Sequence, residues 1–485
     1  MSTCKLIIKD EVNIKAEGLD LETRRKLVNK FKYTVPWARH QPSYKLGRWD
    51  GTVSYFGLGG NGYCSQLNEI VEIITSSGYE IDVEDLRTPF DLSFNEILPT
   101  YWADRGKVWP EGHRFAGQPI VLRDDQTEVV NTFLKNPQSL QEVATGAGKT
   151  IMTATLAHIC EKFGRTIIIV PNKDLVTQTE EDFVNVDLDV GVYYGDRKML
   201  NKTHTICTWQ SLNILDKKSF DDDDALTLAE FLDGVQTVIV DEVHMAKADV
   251  LKRLLTQNIC NAPIRWGLTG TIPKEDWEFQ SIRASLGEVV GQVTAHQLQQ
   301  QGILAQCHVN ILQTVEIKVF RTYHEELKYL VTDEDRVKWI SSLIKTVAES
   351  GNTLVLIDRL ETGNMLMDMI DEAVFISGAV KSTKRKEKYR EVATSDDKII
   401  VATYGVAAVG INIPRIFNLV LVEPGKSFTR VIQSIGRGIR KADDKDFVQI
   451  WDLTGGTKYA KKHLTERKKF YKDAQYPFSI TKVTI

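Results

Sequence analysis

Two segments constrain this chain more than any others: Glu142-Val143-Ala144-Thr145-Gly146-Ala147-Gly148-Lys149-Thr150 and, further along, Val238-Ile239-Val240-Asp241-Glu242-Val243-His244. In the first, glycines let backbone N–H groups curl around a phosphate at the start of a helix. Lys149 is placed to reach the terminal phosphate oxygens, and Thr150 to offer a hydroxyl to Mg²⁺. In the second, a buried apolar strand ends in two carboxylates. Asp241 is suited to hold a metal through water, and Glu242 to orient an attacking water. Thr145, Gly146, Ala147, Gly148, Lys149 and Thr150 are therefore the candidate ATP-binding loop, Lys149, Asp241 and Glu242 candidate catalytic residues, and Thr150 and Asp241 candidate Mg²⁺ ligands. The strict phosphate-loop pattern has glycine where this chain has Val143, so the loop alone also reads as a glycine turn with a solvated lysine. The acid pair alone reads equally as a charged strand end. Their order, their spacing and the apolar runs before both argue against coincidence.

The length of 485 residues exceeds what one core holds and suggests several domains. Hydrophobic content of 42% and charged content of 26% are those of a soluble globular protein. No apolar run is long enough to cross a bilayer and the first residues carry no signal-peptide pattern, so a cytoplasmic protein without membrane partners is expected. A net charge of −4 argues against coating nucleic acid by bulk electrostatics, so any polyanion contact must be local. Basic clusters occur at Lys381 to Arg390 and Lys458 to Lys472, and Asp221 to Asp224 reads as a solvated acidic loop. The cysteines are scattered without metal-ligand spacing, which favours free thiols over a zinc site or disulfide framework.

Along the chain, residues 1–95 alternate short extended and helical patterns. Lys5 to Ile14 reads as a strand, Leu21 to Tyr33 as a helix, Gly47 to Phe56 as a hairpin turning at Asp50-Gly51, Gln66 to Ser77 as a helix and Tyr79 to Val83 as a strand. Residues 96–117, with the exposed-looking Trp102 and Trp109, read as a linker. From 118 to 300 the pattern becomes apolar strand, loop, helix: Thr166 to Val170, Thr205 to Thr208, Thr237 to Val240, Arg265 to Thr269. Residues 301–485 repeat it at Thr353 to Ile357, Ala373 to Ile376, Lys398 to Thr403, Leu419 to Val422 and Val448 to Leu453. Continuous apolar runs mean strands buried on both faces, hence parallel sheets covered by helices.

Read outward from the phosphate loop, the chain resembles the superfamily 2 helicases through an ordered set of motifs. Leu122-Arg123-Asp124-Asp125-Gln126 matches their adenine-recognition element, which makes Arg123 and Gln126 implied ATP contacts. Segments beginning Pro171-Asn172 and Thr208-Trp209-Gln210-Ser211 match those that grip the backbone of the tracked strand, so Pro171, Asn172, Thr208 and Gln210 are implied nucleic-acid contacts. Leu268-Thr269-Gly270-Thr271 matches the motif that couples hydrolysis to lobe movement, which assigns Thr269 and Thr271 that role with His244 as partner. Val401-Ala402-Thr403-Tyr404 leading to Gly410-Ile411-Asn412-Ile413-Pro414 matches the segment touching both nucleic acid and nucleotide. It implies a nucleic-acid contact at Thr403 and a coupling role for Gly410, and departs from many members in having Asn412 in place of Asp. Gln433-Ser434-Ile435-Gly436-Arg437-Gly438-Ile439-Arg440 matches the last motif and makes Gln433, Arg437 and Arg440 implied catalytic residues. Three apart, the arginines are expected on one helix face, both reaching the γ-phosphate when the lobes close.

The Asp-Glu-Val-His box and Gln433 fit the group of XPB-type translocases, RecG-like enzymes and restriction motor subunits better than DEAD-box RNA helicases. Tyr44 to Val53 resembles the Trp-Asp-Gly hairpin entry of phage UvsW-type branched-DNA helicases. The resemblance implies an α/β fold, two RecA-like parallel-sheet lobes preceded by a small α+β N-terminal domain. It implies an ATP- and Mg²⁺-dependent helicase that unwinds or branch-migrates forked and junction DNA, with single-stranded and double-stranded DNA as partners, RNA–DNA hybrids within range, and a place in the host cytoplasm. On the residues themselves, Lys45 and Arg48 flank Tyr44 and Trp49, a set that pairs phosphates and stacks on a base, or equally a core anchor with solvated cations. A translocase that never separates strands, an RNA helicase and a non-catalytic ATP-dependent clamp are the open alternatives. Cys307 to Ile317, Trp102 and Trp109 are candidates for a strand-separating wedge.

Overall fold

The computed structural model describes residues 2–485 apart from 112, 114, 219–225, 246–247, 317, 378–386, 388–390, 393, 411–412 and 414. The acidic block Asp221 to Asp224, nearly all of the basic cluster Lys381 to Arg390, and Asn412 thus lie outside the described residues. By internal contacts the chain divides into two units, residues 1–142 with 148–292 and residues 143–147 with 293–485.

The first unit opens with a small sheet whose strands lie in the order Asn61–Tyr63, Asn13–Glu17, Ser2–Ile8, Tyr79–Asp85. Lys5 to Ile14, expected as one strand, is split between two antiparallel ones. Asp10 turns the chain by accepting the backbone N–H groups of Val12 and Asn13, both at 2.8 Å. Helices Leu21–Lys30 and Leu67–Ser76 bury Leu27, Ile70 and Ile74 with Leu6 and Ile14 of the sheet. Asp20 starts the first helix by accepting from the Thr23 N–H at 2.7 Å. The expected hairpin Gly47 to Phe56 is built differently. Tyr44 and Lys45 belong to a short helix, Pro42–Lys45, and Thr52–Ser54 pairs instead with Lys32–Thr34. Asp50-Gly51 therefore turns no hairpin and leads into the strand Thr52–Ser54, with Gly51 at φ +78°.

The larger sheet of this unit runs in the order Arg197–Lys198, Val190–Tyr194, His204–Thr208, Arg165–Val170, Val235–Asp241, Ile264–Thr269, Gln138–Val143, Glu288–Val293. From Val190–Tyr194 to Gln138–Val143 all neighbours pair in parallel. Ile167 to Val170 and Val238 to Val240 are buried throughout, as strands covered on both faces must be. The stretch expected as a linker is packed against this sheet's helices. Trp102 is fully buried and donates from its indole to Thr155 Oγ1 at 2.9 Å, while the Tyr101 hydroxyl meets His158 Nδ1 at 2.6 Å. A ring with no exposed surface cannot wedge strands apart, so the Trp102 assignment falls. Trp109 is half-buried, stacked on His113 with centroids 4.0 Å apart.

In the second unit seven parallel strands lie in the order Ala373–Ile376, Ile399–Thr403, Thr353–Ile357, Asn418–Val422, Phe447–Thr454, Gln306–Thr314, Phe478–Val483. Cys307 therefore sits on an interior strand, which removes that segment as a wedge. The basic series from Lys458 forms the helix Lys458–Asp473, and one member is not on its surface. Arg467 is fully buried and donates from Nε and Nη2 to the two oxygens of Asp452, each at 2.9 Å. The Tyr471 hydroxyl adds a bond to the same carboxylate at 2.7 Å. Beside it Arg336, also buried, donates to Glu423 at 2.8 Å, yet burial outweighs that pairing and pushes the Glu423 carboxyl up to about 7. This charge network fastens the C-terminal helix to the sheet. Asp452→Asn leaves the Arg467 charge uncompensated and is expected to cost about 3–5 kcal/mol of stability, measured by urea unfolding. Lys461→Ala, exposed on the same helix, is expected to stay within about 0.5 kcal/mol of the wild type.

Candidate nucleotide site and nucleic-acid interface

The strand Gln138–Val143 leads into the glycine loop, and Lys149 opens the helix Lys149–Cys160. Gly148 is the N-cap at φ +83°, and a Cβ there would lie 2.5 Å from Gln126 Nε2, so conformation and space both require glycine. Lys149 Nζ lies 2.9 Å from Glu242 Oε1, each side chain only 10% exposed. Asp241 ends the strand Val235–Asp241 and accepts the Glu242 N–H at 2.8 Å. Burial and then the Glu242 charge push the Asp241 carboxyl up to about 6, against the opposing pull of Lys149 and of that N–H. Glu242 itself sits at φ +50°, a left-handed conformation that costs a non-glycine residue about 1–3 kcal/mol. That turn swings its carboxylate back over Lys149.

His244 extends the constellation. Its Nδ1 lies 2.5 Å from Thr269 Oγ1 and 3.5 Å from Glu242 Oε2. The Thr269 hydroxyl donates to the Thr271 carbonyl at 2.8 Å, which leaves His244 as the donor and puts the ring proton on Nδ1. The Gly270 N–H points at Glu242 Oε2 from 3.4 Å. Thr269 is thus brought to His244 and, through it, beside Glu242, with Thr271 bonded to Thr269. Two further participants were not singled out in the sequence. Glu142 accepts the Ile272 N–H at 3.2 Å and the Gln292 amide at 2.6 Å, fixing the chain just past Thr271. Asp182, on the helix Lys173–Asn185, hydrogen-bonds Thr150 and is pushed up to about 6 by burial and by Glu181. No local pattern marks Asp182, because its partner comes from another helix.

Arg123 and Gln126 begin the helix Asp124–Lys135. Arg123 grips Asp125 with two bonds of 2.9 Å, and Gln126 Oε1 accepts the Arg123 N–H at 3.0 Å. Gln126 also lies against Gly148 of the glycine loop. The implied backbone-gripping side chains turn out to organise their own loops. Asn172 caps its helix by accepting from Asp174 and Leu175 N–H groups at 3.0 Å, and Thr208 accepts from the Ser211 N–H at 3.2 Å. The Gln210 amide donates to the Pro171 carbonyl at 3.1 Å, tying the two loops together. Lys45 and Arg48 are exposed, whereas Trp49 is half-buried and donates its indole N–H to the Thr52 carbonyl at 2.7 Å.

In the second unit Thr403 ends its strand and accepts from the Val406 N–H at 3.4 Å, and Gly410 ends the helix Tyr404–Gly410. Gln433 is buried on the helix Phe428–Gly438, which also carries Arg437. The expectation of one helix face for both arginines is corrected. The helix stops at Gly438 with Ile439 as its cap, and Arg440 lies beyond it in a β-bridge with Leu304. Burial and then the Arg437 charge pull Arg440 down to about 10. Thr145 belongs to this unit, where a Cβ on Gly436 would come within 3.1 Å of its own Cβ.

A phosphate-bearing nucleotide fits this donor set: a left-handed glycine N-cap, a helix N-terminus and a buried lysine. So does Mg²⁺. A buried carboxylate held above its usual range beside a second carboxylate gains by a hard cation, and the Thr150 hydroxyl adds an oxygen. Among the described residues no group of three or more His, Cys, Asp or Glu is assembled for a metal. Two outcomes follow. Glu242→Gln should keep nucleotide binding and lower ATP turnover by on the order of 10²–10⁴-fold, read by equilibrium binding against steady-state hydrolysis. Asp241→Asn should stabilise the nucleotide-free protein. The raised carboxyl makes the folded state bind its proton more tightly, so ionisation costs stability above pH 6. The gain should be about 1–3 kcal/mol at pH 8 and shrink as pH falls below about 6, as thermal melts across pH would report.

Two helicase family models match the chain: the type III restriction enzyme res subunit at residues 119–274 and the helicase conserved C-terminal domain at residues 335–442. Together they take in more than half of the sequence. The chain is 25% identical over 467 residues to the ATP-dependent DNA helicase uvsW of Enterobacteria phage T4, covering 91% of this chain and 88% of that one. It is 26% identical over 357 residues to a putative DNA 3'-5' helicase Rad25 of Haloarcula marismortui, covering 70% and 53%. Its fold resembles a fragment of a putative HsdR subunit of a type I restriction enzyme from Vibrio vulnificus YJ016, with a TM-score of 0.53, 17% identity, and 74% and 67% of the two chains covered. The chain belongs to the superfamily 2 ATP-dependent helicases.

Proposed function

We propose that this chain is an ATP-driven DNA motor that unwinds or branch-migrates forked and junction DNA during phage replication, recombination or repair. The observation that carries this reading is the similarity to the phage T4 DNA helicase over nearly the whole of both chains, N-terminal domain included. The site supplies the chemistry. ATP binds with its phosphates against the glycine loop and the N-terminus of helix Lys149–Cys160, Gln126 beside the loop serving the adenine end with Arg123. Lys149 releases Glu242 to meet the phosphates, and the freed carboxylate orients the attacking water. Mg²⁺, held at Thr150 and Asp241, neutralises phosphate charge when bound. Arg437 and Arg440 stabilise the charge that develops on the transferred phosphoryl group, with Gln433 behind them.

Coupling runs through His244. It bonds Thr269 and adjoins Glu242, so a change at the carboxylate is felt by the segment Thr269-Gly270-Thr271 through one side chain. Gly410 and Thr403 carry the corresponding signal in the second unit. The strand is gripped through its backbone at the loops of Pro171, Asn172, Thr208 and Gln210 and by Thr403, and Lys45, Arg48 and Trp49 of the N-terminal domain contact the DNA where duplex and single strand meet. Single-stranded and duplex arms of one junction, and RNA–DNA hybrids, are the substrates, in the host cytoplasm. Among the described residues no helix is long and apolar enough to cross a membrane.

ATP hydrolysis and strand release on matched single-stranded, duplex, forked, four-way and RNA–DNA substrates test this. Release chiefly from forks and junctions, lost in Lys149→Ala, is the expected outcome. Hydrolysis on plain duplex with no strand released from any substrate would make the chain a translocase instead.

A further inference from the structure

A cavity of about 700 Å³ lies within the first unit, lined both by the N-terminal domain and by elements of the sheet that bears Asp241 and Glu242. Its size is that of a ligand pocket. Three tryptophans line it. The Trp37 ring stands edge-on to Trp277 at 5.9 Å and tilted to Trp49 at 6.2 Å. Trp49 is pinned by its bond to the Thr52 carbonyl, and the backbone of Trp277 accepts the Tyr55 hydroxyl at 2.5 Å. Trp37, by contrast, is 44% exposed and presents open ring surface. A further lining residue is His244, the side chain that bonds Thr269 and adjoins Glu242.

Charge selects what enters. The charged lining is Asp249 and Glu278 against Lys252, whose cation burial disfavours, a balance that disfavours an anion, and burial followed by the Glu275 charge holds the Glu278 carboxyl above its usual range. A flat, uncharged aromatic group with amino donors suits both features. It stacks on indole and gives its N–H bonds to carboxylates, as the amino groups of adenine, cytosine and guanine can. The phosphates attached to such a base remain outside, and the segment leading into Trp49 exposes Lys45 and Arg48 to meet them.

We propose that this cavity receives an unpaired base of the bound nucleic-acid strand, and that its occupancy is transmitted to Glu242 through His244. This rests on the reading of the chain as a nucleic-acid motor and adds to it a site where base, rather than backbone, is sensed. An unpaired base is present only where strands are open, so the site distinguishes a junction from plain duplex.

ATP hydrolysis by the full chain, titrated with a single-stranded DNA oligonucleotide and with an abasic strand of equal length, separates the possibilities. The base-bearing strand is expected to reach half-maximal stimulation at a concentration on the order of tenfold lower, the size of one stacking contact. Trp37→Ala should remove that difference and Trp37→Phe should retain most of it. Equal stimulation by both strands in the wild type overturns the cavity's role and leaves the motor reading standing, and it does not depend on how any variant folds. A base preference that survives Trp37→Ala also overturns it, because the base is then read elsewhere. Failure of every nucleic acid to stimulate hydrolysis removes the motor reading itself, and the cavity's role with it.

Discussion

An ion pair of one lysine and one glutamate, each little exposed, holds the first unit's candidate site together. Lys149 and Glu242 come from segments far apart in sequence, and their 2.9 Å contact joins the start of the phosphate-loop helix to the end of the strand Val235–Asp241. Everything nearby is adjusted to that contact. Glu242 accepts a left-handed backbone to make it, Asp241 ionises reluctantly beside it, and His244 and the Gly270 N–H address the other carboxylate oxygen. A carboxyl pushed up by burial and by a neighbouring carboxylate ionises more readily when a hard cation arrives, so Asp241 favours added positive charge.

The second unit uses buried charge for a different end. Asp452 with Arg467 and Tyr471 ties the C-terminal helix to the sheet, and Glu423 at the end of the neighbouring parallel strand holds Arg336 of the helix Glu334–Ala348. The pairs are matched and hydrogen-bonded on both sides, which is the condition under which burying charge is tolerated. Here no vacancy for a ligand's charge is left, and the network serves position rather than chemistry. The helix bearing Arg437 is likewise set by small residues. Gly436 permits close approach to Thr145, and the helix ends two residues before Arg440.

Much of the architecture was legible because it is local. Thr166 to Val170, Thr353 to Ile357 and Ala373 to Ile376 announce themselves as strands by uninterrupted apolar runs, which only a doubly covered sheet can bury. The phosphate loop and acid pair were legible for a related reason, since glycines, a helix-opening lysine and paired carboxylates are required by the chemistry at fixed spacing. Where reading failed, a distant partner decided. Lys5 to Ile14 looks continuous until Asp10 turns it, and Thr52–Ser54 pairs with the earlier strand Lys32–Thr34, across the short helix Pro42–Lys45, in place of the expected hairpin. Trp102 looked exposed in a proline- and glycine-rich stretch, and it is buried because Thr155 of another helix offers its indole an acceptor.

The sequence by itself determined the fold class, the order of the motifs and the candidate groups for a nucleotide site, because periodicity and short-range spacing are properties of neighbouring residues. Only the tertiary structure decided which of those groups touch. It paired Thr150 with Asp182 and Glu142 with Ile272, turned Asn172 and Thr208 into helix caps, buried Arg467, and set three tryptophans around a cavity that includes His244. Each of these depends on side chains converging from separate elements, and the hydrogen-bond needs of a buried polar group are met by whichever partner packing brings, wherever it lies in the chain.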